Sequence, residues 1–268
     1  MTDSLAGMSF FLALAFIISW ASYAKGYYSL PYKNFKGPLI SLQDVLIYFF
    51  IFIGVYFLVL PLFPKLILGH ILAFSLTALI FFLYSYCSDR KTMLAVWKDR
   101  NFPGALSLKA DGEMGIIFWV IAMPVVASVT YLAEILTSLF VAPTGKEQVA
   151  VRFLKESLSN PSTSVVAFFS ILIVAPIFEE FLFRGILFSY LRTKFTAFTA
   201  IFLSSFIFSL FHFSPSQSIE NIPLLLTLFA FGSYLGFVYE KTRSLFASIL
   251  LHVTFNSISV IRIIFTHV

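Results

Sequence analysis

The chain has 268 residues, of which 59% are hydrophobic, 12% are charged and 35 are phenylalanine. A soluble domain carries about 25% charged residues, so this chain lacks the ionisable groups to cover a water-exposed surface, and most of its surface must face lipid. The net charge of +5 is dispersed in short segments between apolar stretches, the pattern of loops flanking membrane spans, which argues against a nucleic-acid partner.

A helical span needs about 20 predominantly apolar residues. Eight runs approach that length: Met8–Ala24, Val45–Phe63, Leu66–Tyr86, Gly115–Val141, Ser164–Tyr190, Ala197–Phe213, Ile222–Tyr239 and Leu245–Phe265. The first has Asp3 where a secretion signal carries positive charge, and the first lysine, Lys25, follows the run. It therefore reads as a retained span. The second and third runs are separated only by Leu62–Lys65 with Pro64, which predicts a tight helical hairpin. The single cysteine, Cys87, excludes an intrachain disulfide framework and a CxxC metal site, and reads as inert packing at a helix end.

Ser88–Glu113 is polar, contains Pro103 and Gly104, and reads as a solvated connector. Over Thr144–Leu158, Thr144 and Glu147 fit a capping box, and Ala150, Phe153, Leu154 and Leu158 recur at helical spacing. A short amphipathic interfacial helix is predicted there, acting as a lid or anchor. No strand-like alternation interrupts the runs, and helices satisfy their own backbone in lipid. The expected fold is all-α: a polytopic integral membrane protein of about eight transmembrane helices with a polar site inside the bundle. Residues 1–143 supply helices without a specific motif, and 144–268 carry the site within one integrated membrane domain.

Counting Lys and Arg in alternate loops gives one side Lys25, Lys33, Lys36, Arg90, Lys91, Lys98, Arg100, Lys109, Arg192, Lys194, Lys241 and Arg243. The other side receives Lys65, Lys146, Arg152, Lys155 and Arg262. The positive-inside rule makes the first side cytoplasmic and both termini extracytoplasmic.

Ionisable groups within apolar runs carry the functional signal, because each costs at least about 2.5–3.5 kcal/mol at mid-bilayer by insertion scales. The fifth run contains Glu179, Glu180 and Arg184. Glu180 and Arg184 stand at i and i+4 with the acid first, the favourable order for a pair. Glu179 lies about 100° around the helix and has no local cation. Pro176 just upstream predicts a kink. The sixth run ends at His212, and the eighth places His252 and Asn256 on one helical face. A carboxylate and an imidazole can hold and deprotonate water, and an imidazole with a carboxamide can donate to an oxyanion. No nucleophile elbow is present: Ser204, Ser205 and Ser209 are helical serines without a motif. Glu134 and His70, also in apolar runs, read as buried hydrogen-bonded or near-interface residues.

Three stretches, Glu179-Glu180-x-x-x-Arg184, Phe208-x-x-x-His212 and His252-x-x-x-Asn256, resemble in order and separation the signatures of the CAAX-protease and bacteriocin-processing family of intramembrane peptidases. Ala175-Pro176 before the acids, Phe183-Arg184-Gly185 across the arginine and Gly232-x-x-x-Gly236 between the histidines belong to the same resemblance, which covers residues 145–260. It implies an endopeptidase cutting near the cytoplasmic membrane face, with type II CAAX prenyl endopeptidases among its relatives. It further implies that Glu179 and His212 activate water, that His252 and Asn256 stabilise the oxyanion, and that Glu180 and Arg184 support the site. Family members have also been described as metalloproteases, and Glu179, His212 and His252 would make a His₂Glu set for a divalent metal such as zinc. Without an HExxH pattern the metal-free assignment is preferred.

The partners so implied are a peptide or protein substrate, prenylated or plain, and the lipid bilayer. The location is the cell membrane in a prokaryote or the endoplasmic reticulum in a eukaryote. Competing readings are a non-proteolytic immunity or scaffold protein that keeps the polar cavity, and a transporter. The absence of duplicated halves disfavours the latter, and a small-residue face at Gly232 and Gly236 has a plain packing role.

Overall fold

The computed structural model of the chain describes residues 2–30, 37–59, 62, 66–102, 106–141, 149–158 and 160–267. The predicted Leu62–Lys65 hairpin turn, the Thr144–Glu147 capping box and the side chain of His70 lie outside these residues or their described side chains. Every regular element among the described residues is helical, and no strand occurs.

The elements are α1 Thr2–Ala24, α2 Leu42–Val59, α3 Leu66–Cys87, α4 Arg90–Trp97, α5 Leu108–Ser138 and α6 Val149–Ser157. They continue with α7 Pro161–Lys194, α8 Ala197–Leu210, a 3-10 turn Pro215–Glu220, α9 Asn221–Thr242 and α10 Leu245–His267. Five helical stretches are long and apolar enough to cross a membrane: Leu5–Ala24, Leu108–Ser138, Pro161–Lys194, Pro215–Thr242 and Leu245–Phe265. Leu42–Val55, Ser75–Cys87 and Ala197–Leu210 are shorter apolar helices, so among the described residues five of the eight expected spans reach full length. The chain is a multi-pass, all-helical membrane protein. Its outward surface agrees, with Phe16, Trp20, Phe50 and Phe198 each more than two-thirds exposed.

Connections at one end of the bundle are knit together. Glu240 on α9 accepts from Arg192 of α7 at 3.0 Å and from Arg243 at 2.5 Å, all three buried. Lys98 pairs with Asp111 at the start of α5, and Asp99 N–H donates to the Arg243 carbonyl at 3.0 Å. Lys241 donates to the Ser29 carbonyl at 2.6 Å, and Tyr84 of α3 donates to Asp44 of α2 at 3.0 Å. The helices ending at Ala24, Cys87, Lys194 and Thr242 therefore finish at this basic end, where α5, α8 and α10 begin. The predicted polar connector 88–113 is not simply solvated, since α4 packs there with Val96 fully buried and Asp89 capping it through the Thr92 N–H at 2.8 Å. Cys87 is exposed rather than packed.

Close helix approach depends on missing side chains, since lipid supplies no hydrophobic drive between helices. A Cβ at Gly115 of α5 would lie 2.6 Å from the Ala247 carbonyl oxygen, so α5 and α10 touch backbone to backbone. A Cβ at Gly232 would lie 3.1 Å from Phe208 and 3.2 Å from the Arg184 guanidinium, whereas one at Gly236 meets only ordinary contacts at 3.5 Å. The small-residue face is thus functional at Gly232 alone. Gly232→Ala should destabilise the detergent-solubilised protein by about 1–3 kcal/mol, as overpacking does, and Gly236→Ala should melt like the wild type.

Candidate active site

The local structure of α7 sets the site. Pro176 has no N–H, and the turn before it widens: Ser170–Val174 is π-helical, with the Ala175 N–H bonding five residues back to the Ser170 carbonyl. In that register the next donor would be residue 176, for the Ile171 carbonyl, and proline cannot supply it. Asn256 of α10 fills the vacancy by donating from Nδ2 to the Ile171 oxygen at 2.9 Å. A second π segment, Phe181–Phe188, follows the α-turn Ala175–Glu180 that carries both acids. The kink expected from Pro176 is therefore two π segments around the acidic turn, a form enriched at functional sites.

Glu180 and Arg184 form the expected pair, Nη1 to Oε1 at 3.0 Å, with both side chains fully buried. Arg184 also donates from Nη2 to the Gly232 carbonyl at 3.0 Å and lies 4.4 Å over the Phe208 ring. Glu180 has a second partner that the sequence does not reveal: its Oε1 is 2.9 Å from His252 Nδ1. An ionised carboxylate only accepts, so the His252 Nδ1 carries hydrogen. Glu180 is therefore a positioning residue for His252 as well as an ion-pair partner. Glu180→Gln should lower stability by several kcal/mol, because it leaves Arg184 a buried charge without its counter-ion. It should also lower kcat in the folded fraction, measured by peptide turnover beside detergent melting.

His212 reaches the site because α8 is short. Ser214 precedes Pro215 and is extended (φ −129, ψ 122), as the residue before proline prefers. The helix stops at Leu210 after 14 residues, about 21 Å of rise against a hydrocarbon core of about 30 Å. His212 thus sits part-way through the bilayer. Asn221 holds the connector, donating to the Ser214 and Ser218 carbonyls at 2.8 and 3.0 Å and accepting from the Ser214 N–H at 3.0 Å. His212 Nδ1 lies 3.0 Å from the Phe208 carbonyl and donates to it.

With both Nδ1 atoms donating elsewhere, both histidines turn Nε2 towards Glu179. Each Nε2 is 3.8 Å from Glu179 Oε2. That is too long for a direct hydrogen bond, and it leaves space for a water that donates to these acceptors. Glu179 and His212 keep side-chain exposures of 23% and 32%, against 6% for His252. All four predicted catalytic residues line one cavity of about 560 Å³. Its walls are apolar, with Leu224, Leu228 and Phe231 from α9 and Val260 and Ile263 from α10. The amphipathic helix appears as α6, which closes one side with Val151, Phe153 and Leu154. The residues that line the cavity lie level with the catalytic groups or farther from the basic end.

Glu179, His212 and His252 converge, and the Nδ1 anchors would also suit metal ligands. Nevertheless, among the described residues no group of three or more His, Cys, Asp or Glu is arranged to hold a metal ion, so a metalloprotease-like site is not supported. Glu134 is exposed near the end of α5, in keeping with the near-interface reading.

Residues 161–258 match the family model described as Type II CAAX prenyl endopeptidase Rce1-like, the family that the three motifs resemble. The match begins at the first residue of α7 and includes Glu179, Glu180, Arg184, His212, His252 and Asn256. No curated protein and no solved structure matches the chain.

Proposed function

We propose that this protein, whose site helices carry the Rce1-like match, is an intramembrane endopeptidase that hydrolyses a peptide bond with a Glu179-activated water. The observation that carries this reading is the pair of Nε2 atoms facing Glu179 Oε2 at 3.8 Å in an apolar cavity. A water held there donates to Glu179 and His212 and attacks the carbonyl carbon. Glu179 takes its proton and passes it to the leaving amine as the tetrahedral intermediate collapses.

On the oxyanion side, Asn256 has one Nδ2 hydrogen on Ile171 and a second free to donate. His252 donates to the oxyanion from Nε2 when its ring carries both hydrogens, while its Nδ1 donates to Glu180. Glu180 and Arg184 hold this half of the site rather than react. The helices of residues 1–143 complete a single membrane domain, with α5 packed against α9 and α10 and all eight apolar helices in the bilayer, α8 only part-way. The membrane is the cell membrane in a prokaryote and the endoplasmic reticulum in a eukaryote.

The substrate is a peptide or protein segment, and the apolar walls accommodate either a prenyl chain or apolar side chains. Purified protein incubated with a prenylated and a matched plain peptide should cleave at least one. A preference for the prenylated form would establish CAAX-type processing, and cleavage of neither would favour a non-proteolytic scaffold. Exhaustive chelation should leave turnover unchanged, with no stoichiometric zinc by elemental analysis. Activity lost on chelation and restored by zinc would instead establish the His₂Glu centre.

A further inference from the structure

We infer that Gln217, in the 3-10 turn that follows His212, is a substrate-binding residue whose side-chain carbonyl accepts a backbone N–H of the bound peptide. This rests on the peptidase reading above and adds to it a contact for the peptide chain away from the reacting groups.

Gln217 lines the same cavity as Glu179, His212, His252 and Asn256. It is 2% exposed, and its side-chain oxygen has no hydrogen-bond partner among the described residues. An unpaired buried acceptor is costly, and such groups are rare in folded proteins. The connector nevertheless holds this side chain inside. Ser218, the next residue, is a non-glycine at φ 53 and ψ −124, a sparsely populated conformation of the kind that persists only where its surroundings impose it and that clusters at ligand sites. Here Asn221, 3% exposed, imposes it by donating to the Ser218 carbonyl on one side of Gln217 and by bonding both backbone groups of Ser214 on the other. The Gln217 N–H closes the turn on the Ser214 carbonyl at 3.0 Å.

Donors of the cavity lining are committed elsewhere. The Ser259 hydroxyl donates to the Phe255 carbonyl, the Ser214 hydroxyl pairs with that of Ser216, and one Asn256 hydrogen is on Ile171. The missing donor therefore comes with the ligand. A prenyl or acyl chain has none, whereas an extended peptide offers an N–H at every residue. Rotation about the last side-chain bond of Gln217 presents its oxygen to the cavity that the side chain lines.

The probes that test this are a fluorescein-labelled apolar decapeptide and analogues in each of which one backbone N–H is replaced by an ester oxygen. Binding is followed by anisotropy on the detergent-solubilised Glu179→Gln protein, where no turnover interferes, and KM and kcat are measured with Glu179 in place. One analogue, substituted away from the cleaved bond, should bind about three- to tenfold more weakly, the value of one such hydrogen bond, with KM raised in step and kcat unchanged. In Gln217→Met, which keeps the length of the side chain and removes the acceptor, the parent peptide should bind as weakly as that analogue, and the ester should cost nothing further. Gln217→Met should melt at or above the wild-type temperature, because the oxygen has no partner in the free protein. A lower melting temperature with KM unchanged would make Gln217 structural and overturn the inference. An ester penalty that persists in Gln217→Met, or no binding of the decapeptide at all, would also overturn it. Turnover without a Gln217-dependent penalty refutes this inference and leaves the peptidase reading standing. The penalty seen in binding, with no peptide cleaved by the wild type, refutes the peptidase reading while the peptide contact stands.

Discussion

Glu179→Gln is expected to reduce peptide turnover by at least the 10²–10⁴-fold that a positioned general base contributes, with the melting temperature in detergent unchanged. The side chain is 23% exposed and makes no ion pair with a lysine or arginine among the described residues, so an amide of the same shape costs the fold little. What it removes is the carboxylate that both Nε2 atoms face. The contrast with Glu180→Gln is the informative one, because that residue is fully buried and tied to Arg184 and His252. Normal turnover in Glu179→Gln would show that the base lies elsewhere.

The second large effect is expected on the oxyanion side. Asn256→Ala should lower kcat by about 10²–10³-fold, the cost of losing one such donor, with little change in KM, because the donor acts mainly in the transition state. It also strips the part-buried Ile171 carbonyl of its partner, and losing a hydrogen bond of that kind costs about 0.5–1.5 kcal/mol. The kinetics should therefore be read at temperatures where the variant is folded, with melting measured alongside. His252→Ala should lose as much or more, and the double variant should lose less than the product of the two if both donate to one oxygen. A rise in KM alone in Asn256→Ala would make the amide a substrate-binding group.

The apolar runs and the spacing of the polar residues were readable because helical periodicity is local. Glu180 with Arg184, and His252 with Asn256, are one turn apart, and that alone puts each pair on one face. The partners across helices were not readable. Nothing local says that Glu180 reaches His252, 72 positions on. The role of Asn256 towards Ile171 depends on the π register before Pro176, which no periodicity count detects. Pro215 did carry a usable signal: the restriction it places on Ser214 ends α8 early and brings His212 to the depth of Glu179, where a full-length span would have carried it to the membrane face. Which residues share the cavity was out of reach of sequence, because it depends on which half of each helix lines a common space.

The central claim, that Glu179 deprotonates a water that attacks the peptide directly, is tested most directly by a single turnover in ¹⁸O-water with enzyme in excess over peptide. Mass spectrometry should find one ¹⁸O in the new carboxylate of the N-terminal product and none in the peptide of the enzyme that contains Glu179. An unlabelled product together with ¹⁸O in Glu179 would mean that the carboxylate attacks the substrate itself through an anhydride, and it would contradict the water mechanism.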